Sequence, residues 1–150
     1  MTDCREPVNL LLVNHCSPGD VLVLTAAVRD LHKAHPGRYV TGVDTECPDL
    51  WLNNPYITAL DPASPGIRRI DCQHPPMLNR CNHRPGHYIE SVHNLLSRKL
   101  RRPVPLTRFA PDVHLTAKEK ERPPHGLSRR YWAMVAGAND SRDGHVTCSP

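Results

Sequence analysis

The residues best suited to chemistry stand together at Ser17-Pro18-Gly19-Asp20. A carboxylate at position 20 can take a proton from a substrate hydroxyl. Gly19 removes side-chain bulk, so a ligand can approach the backbone. The N–H groups of a starting helix can also hold an anion. The same four residues have a purely structural use. Ser17 suits an N-cap, Pro18 the first helical position, and Asp20 the third, which is capping-box spacing with Asp in place of Glu. Asp20 would then satisfy backbone N–H groups and complement the helix dipole. A single glycine makes neither a dinucleotide fingerprint nor a Walker loop.

Three other groups carry reactive side chains. His15 and Cys16 flank the loop and could in principle form a nucleophile pair, but adjacent residues seldom face each other. Cys72-x-His74 and Cys81-x-His83-x3-His87 offer zinc-type ligands without any C-x2-C pair or common finger spacing. A polar loop with free thiols is the expectation there, and no metal is assigned. Arg98, Lys99, Arg101 and Arg102 form a dense basic run at a helix end, where cations complement the dipole. No aromatic residues interleave with that charge, which argues against nucleic acid.

The elements that must position Asp20 follow from periodicity. Val8–Val13 is an apolar run of strand type, ended by Asn14. Val21, Leu24, Val28 and Leu31 then recur at helical spacing up to His32 or Lys33, and His35-Pro36-Gly37 stops the helix. Tyr39–Val43 is a second strand. Strand, helix and strand at this length make a βαβ unit with parallel strands. In such sheets ligands bind beyond the carboxyl ends of the strands, where the Ser17–Asp20 loop falls. Pro48 opens a short helix to about Leu52. Ile57–Leu60 is a third strand and Ile67–Ile70 a weaker fourth. Residues 71–86 read as loop. His87–Leu100 is a second long helix with Ile89, Val92, Leu95 and Leu96 on one stripe. Residues 101–111 form a proline-interrupted connection, Lys118–Arg122 starts a short helix, and Tyr131–Ala136 is a last apolar strand.

The composition frames these elements. The 150 residues suffice for one domain with a real core. Aromatic residues are only 5%, so that core rests on Leu, Val, Ile and Ala. Most of the 16 prolines fall after residue 60, where regular order should weaken. The net charge of +4 permits an anionic ligand or membrane surface without requiring one. No leader peptide and no membrane-spanning run is visible, which points to the cytoplasm and to reduced thiols at the six cysteines. The fold class expected is α/β: a Rossmann-like open, mostly parallel sheet.

The pattern LLLVNHCSPGDVLVLTAAVRDLHKAHPG resembles the N-terminus of the ADP-heptose:lipopolysaccharide heptosyltransferases, glycosyltransferase family 9. That family opens with an apolar strand, a small-residue loop ending in Gly-Asp and a helix closing near a proline. Leu10–Val13, Gly19-Asp20 and Pro36 stand at those places. Asn54-Pro55 looks like the family's later Asn-Pro, residues 72–121 resemble its middle region more loosely, and YWAMVAG looks like the start of its second domain. The resemblance covers about residues 8–138. It implies the N-terminal, acceptor-side half of a GT-B fold over residues 1–130, with residues 131–150 as the beginning of a truncated second domain and a tail. It further implies Asp20 as catalytic base and Ser17, Pro18 and Gly19 as an acceptor- or phosphate-binding loop. The reaction implied is heptose transfer from ADP-heptose to a lipopolysaccharide core acceptor with inversion, needing no cofactor beyond that donor. Arg98, Lys99, Arg101 and Arg102 would contact the acidic core or the inner-membrane surface. The alternative is a non-catalytic Rossmann-like module that binds an anionic sugar or phosphate.

Overall fold

Three consecutive leucines set the centre of the molecule. Leu10, Leu11 and Leu12 are each 1% exposed or less, the burial expected of a strand covered on both faces of a parallel sheet. They belong to β1 (Val8–Asn14) in the computed structural model, which describes residues 6–73 and 87–121. The helix α1 (Pro18–Ala34) leads to β2 (Tyr39–Thr45), which pairs with β1 in parallel along its whole length. A 3-10 turn follows at Pro48–Trp51. Then β3 (Arg68–Asp71) pairs in parallel with the other edge of β1, and α2 (Tyr88–Leu100) completes the layer. The sheet order is β2-β1-β3.

Leu10 and Leu12 share one core with Val21, Leu24 and Val28 of α1 and with Val92, Leu95 and Leu96 of α2. The period of two along the strand thus meets the helical stripes of both helices, and their burial drives the assembly. The small open α/β sheet expected from the periodicity is present, and both pairings of β1 are parallel. The chain steps from β1 to β2 on one side and returns with β3 on the other. The strand order therefore reverses between β1 and β3, whose carboxyl ends lie side by side where open α/β sheets bind their ligands.

Two elements differ from expectation. Ile57–Leu60 is not a ladder strand: it makes one bridge, Thr41 to Ile57, with Thr58 N–H donating to the Thr41 carbonyl at 2.8 Å. Gly42 explains the departure. A side chain there would meet Leu60 Cβ at 3.1 Å and the Thr58 carbonyl oxygen at 3.2 Å, so the segment leans over the bare glycine instead of running beside β2. The fourth expected strand, Ile67–Ile70, exists one residue later as β3.

Both ends of α2 are locally encoded. His87 accepts from Ile89 N–H while Glu90 reaches back to His87 N–H, a capping box. At the other end Arg101 adopts φ +55°, and Arg102 N–H bonds the Ser97 carbonyl in a Schellman arrangement. An L side chain in that left-handed position costs about 1 kcal/mol.

The connection after α2 is a strap laid along the helices. Ser97 accepts from Val104 N–H, Asp30 from Thr107, Thr25 from Asp112 N–H, and Arg29 donates to the carbonyls of Arg108 and Ala110. Residues up to Thr116 make one compact unit. The helix α3 (Ala117–Glu121) belongs to a second unit, and the strand expected at 131–136 lies outside the described residues. Among the described residues no helix is long and apolar enough to cross a membrane.

Candidate active site at the carboxyl ends of the strands

The candidate site is built on the ends of β1 and β3. Asn14, the last residue of β1, is buried. Its side chain accepts from Cys16 N–H at 3.0 Å and donates to the Cys72 carbonyl at 3.4 Å. Cys72 N–H donates to the Val13 carbonyl at 2.8 Å, which carries the ladder one step past β3. Cys16 Sγ then donates to the Gln73 carbonyl at 3.0 Å. These bonds pin the loop 15–17 across both strand ends, so the start of α1 has a fixed place.

Asp20 projects at that start and is half-buried. Ser17 Oγ donates to its Oδ2 at 2.7 Å, and Tyr88 OH, from the first residue of α2, donates to its Oδ1 at 2.5 Å. The capping-box geometry anticipated for Ser17 and Asp20 does not form. Ser17 makes no side-chain cap bond, and its hydroxyl is turned onto the carboxylate instead. The N–H groups of Asp20 and Val21 both donate to the Ser17 backbone carbonyl. Asp20 thus meets two neutral hydroxyls, and among the described residues no cation pairs with it.

The surroundings keep these donors neutral. Burial pushes the Tyr88 phenol well above its ordinary value, and the hydrogen bond to Asp20 and the nearby charge add to this. Cys16 is also raised, first by burial and then by the charges of Asp20 and Asp71, so it stays a thiol and not a nucleophilic thiolate. The His15–Cys16 pairing does not occur. His15 turns to Glu46 at 3.1 Å and Asp44 at 3.5 Å, and Arg69 reaches Asp44 at 3.0 Å. The rim of the sheet is therefore acidic, with His15 and Arg69 already committed to carboxylates.

Ser17, Pro18, Gly19 and Asp20 thus lie together as expected, at the point where strand order reverses. The basic run does not join them. Arg68, the first residue of β3, donates to the Lys99 carbonyl in the last turn of α2, whereas Tyr88 at the first turn touches Asp20. Thirteen helical residues separate the two ends by about 20 Å. Arg98, Lys99, Arg101 and Arg102 therefore sit at the far end of the sheet. The Cys/His groups divide as well. Cys72 is buried, and its thiol is pushed up to about 12 by burial. His87 caps α2, while His74, Cys81 and His83 lie outside the described residues. Among the described residues no three His, Cys, Asp or Glu side chains gather as metal ligands.

Sequence reasoning missed two participants. Tyr88 stands 68 residues from Asp20, and nothing local announces the contact. The second is a buried knot: Asp30 accepts from Arg29, His93 and Thr107 within the core. A signal for it existed. His93 lies four residues after Ile89 and three before Leu96, so it shares the buried stripe of α2. No known protein family, curated protein or solved structure matches the chain.

Proposed function

We propose that this chain is the acceptor-side domain of an inverting glycosyltransferase of GT-B type, with Asp20 as the base. The observation that carries this reading is the state of Asp20. Its carboxylate is half-exposed, stands at the strand-order reversal, and among the described residues meets only hydroxyl donors. A cationic partner would hold that charge; a neutral hydroxyl can give way to the hydroxyl of a sugar. Asp20 takes the proton of the acceptor hydroxyl while that oxygen bonds to the donor's anomeric carbon. The bond from that carbon to the nucleoside diphosphate breaks, and configuration inverts. Heptose from ADP-heptose and a lipopolysaccharide core acceptor are the substrates the family resemblance implies.

The acidic rim favours this over an anion-binding module. Asp44, Glu46 and Asp71 flank the site. Pro18 has no N–H, and the amides of Asp20 and Val21 are already turned onto Ser17. A phosphate would find repulsion and few donors there, whereas a neutral hydroxylated ring finds acceptors. The basic end of α2 suits an acidic part of the acceptor, or a membrane surface, at a distance from the reacting sugar.

The test is a titration of the full chain with a lipopolysaccharide core oligosaccharide, followed by amide NMR. Shifts confined to Asn14–Val21 and Tyr88, weakened at least tenfold by Asp20→Asn, are expected. Binding at the basic end alone, or none, overturns the assignment.

A further inference from the structure

Among the described residues, Tyr88 is the one side chain that reaches Asp20 from outside its own loop. It does so from the first residue of α2, just after the capping box that fixes where that helix begins. The ring is packed against the core formed by both helices and the sheet. Its position is therefore set by the frame of the domain and not by the loop 15–17. Ser17, by contrast, is exposed and shares the loop with its acceptor.

The two oxygens of Asp20 consequently have different partners. Oδ1 is tied to a packed residue of a separate helix at 2.5 Å; Oδ2 is tied to an exposed serine at 2.7 Å. A carboxylate on the first turn of a helix has free rotamers unless something holds it. We infer that Tyr88 is a positioning residue: it anchors Oδ1 of Asp20 so that Oδ2, released by the Ser17 hydroxyl, receives the proton of the acceptor. This rests on the role given to Asp20 above and adds a division of labour within the carboxylate. Exchange of one hydroxyl for another at Oδ2 needs no cation to leave. The phenol does not compete for the proton, because burial and the neighbouring charge keep it protonated. Among the described residues, Asp20 and Cys16 are the titratable groups that act on it.

The decisive measurement is tyrosine ring NMR on the full chain across alkaline pH, with Tyr88→Phe identifying the resonance. Asp20→Asn removes the charge and the hydrogen bond's anionic acceptor, so the Tyr88 midpoint should fall by at least half a pH unit. Ser17→Ala should leave it in place. Adding the core oligosaccharide should shift the Ser17 β-carbon while the Tyr88 midpoint stays high, since the ligand displaces Ser17 alone. Tyr88→Phe should weaken oligosaccharide binding about tenfold with an unchanged melting temperature, because the carboxylate then samples other rotamers.

A Tyr88 midpoint indifferent to Asp20→Asn overturns the anchoring, even if the oligosaccharide binds at Asn14–Val21. A midpoint that drops on adding oligosaccharide overturns the division of roles, because the ligand then replaces Tyr88. Absence of any oligosaccharide binding overturns the acceptor-side reading, and the positioning role falls with it. The first two failures leave the function of Asp20 standing and the third does not.

Discussion

Asp20 and Asp30 lie ten residues apart on α1, and each is tied to α2. Asp20 sits beyond the carboxyl end of β1 and accepts from two hydroxyls. Asp30 is fully buried and accepts from Arg29 Nε and Nη2, His93 Nε2, and both the N–H and hydroxyl of Thr107. Burial alone would raise the Asp30 carboxyl, but the hydrogen bonds from Arg29, Thr107 and His93 outweigh it and hold the group well below the usual carboxylate range. His93 has an acceptor at each ring nitrogen, Asp30 at 2.9 Å and the Ile89 carbonyl at 2.7 Å. The contrast separates two uses of one residue type. A carboxylate saturated by buried donors locks helix to helix and has nothing left to offer. A carboxylate held by neutral donors at the surface keeps its charge for a ligand.

This contrast can be broken experimentally, most severely at Asp30. Asp30→Ala removes the buried acceptor shared by Arg29 and His93, leaves Arg29 only the Asp112 carboxylate at 3.9 Å, and should cost about 3–5 kcal/mol in urea denaturation. A loss below 1 kcal/mol would mean the knot is not structural. The same residue predicts an acid response. Its folded-state pKa is depressed, so the unfolded chain binds more protons as pH falls. The stabilisation is complete above the unfolded value near about pH 4 and is lost as pH drops toward the folded one. The urea midpoint of the parent should therefore fall more steeply between about pH 5 and pH 2 than that of Asp30→Asn.

Smaller effects sharpen the comparison. Thr107→Val deletes the hydroxyl donor but keeps the backbone one, and at this exposed position should cost about 1 kcal/mol. Asp20→Asn should change stability by less than about 1 kcal/mol, since what it weakens is an interaction with the helix dipole and two hydrogen bonds at a half-exposed position. The same substitution should abolish oligosaccharide binding at the loop. Ser17→Ala should cost under about 0.5 kcal/mol, below the usual price of a lost N-cap, because Ser17 makes no cap bond. A penalty near 2 kcal/mol in thermal denaturation would restore the capping role.

The strand–loop–helix unit around Asp20 was readable because its cause is local. An apolar run, a Pro-Gly turn and a 3.6-residue stripe each act within a few positions. The same locality explains the faults. Ser17 and Asp20 have capping-box spacing, yet Tyr88 draws the carboxylate outward, and no neighbouring residue encodes that pull. Ile57–Leu60 has strand composition, but its path depends on the missing side chain of Gly42 across the turn. The basic run was rightly placed at a helix end. Its distance from Asp20 depends on how α2 docks, which periodicity does not carry. Asp30 escaped notice because its donors come from positions 93 and 107.

The strap after α2 has a consequence for how this protein can change over generations. Beyond the Thr107 hydroxyl, the hydrogen-bonding atoms it offers to the helices are main chain: the amides of Val104, Thr107 and Asp112, and the carbonyls of Pro103, Arg108 and Ala110. The discriminating side chains, Thr25, Arg29, Asp30, His35 and Ser97, all belong to α1, to its end or to α2. A main chain looks alike whatever residues it strings together. Mutations should therefore accumulate at little cost at its exposed positions such as 103, 105 and 108, while buried Val104, Thr107 and the helical residues that grip the strap stay fixed. Most of the segment can drift in sequence and still be held in the same place.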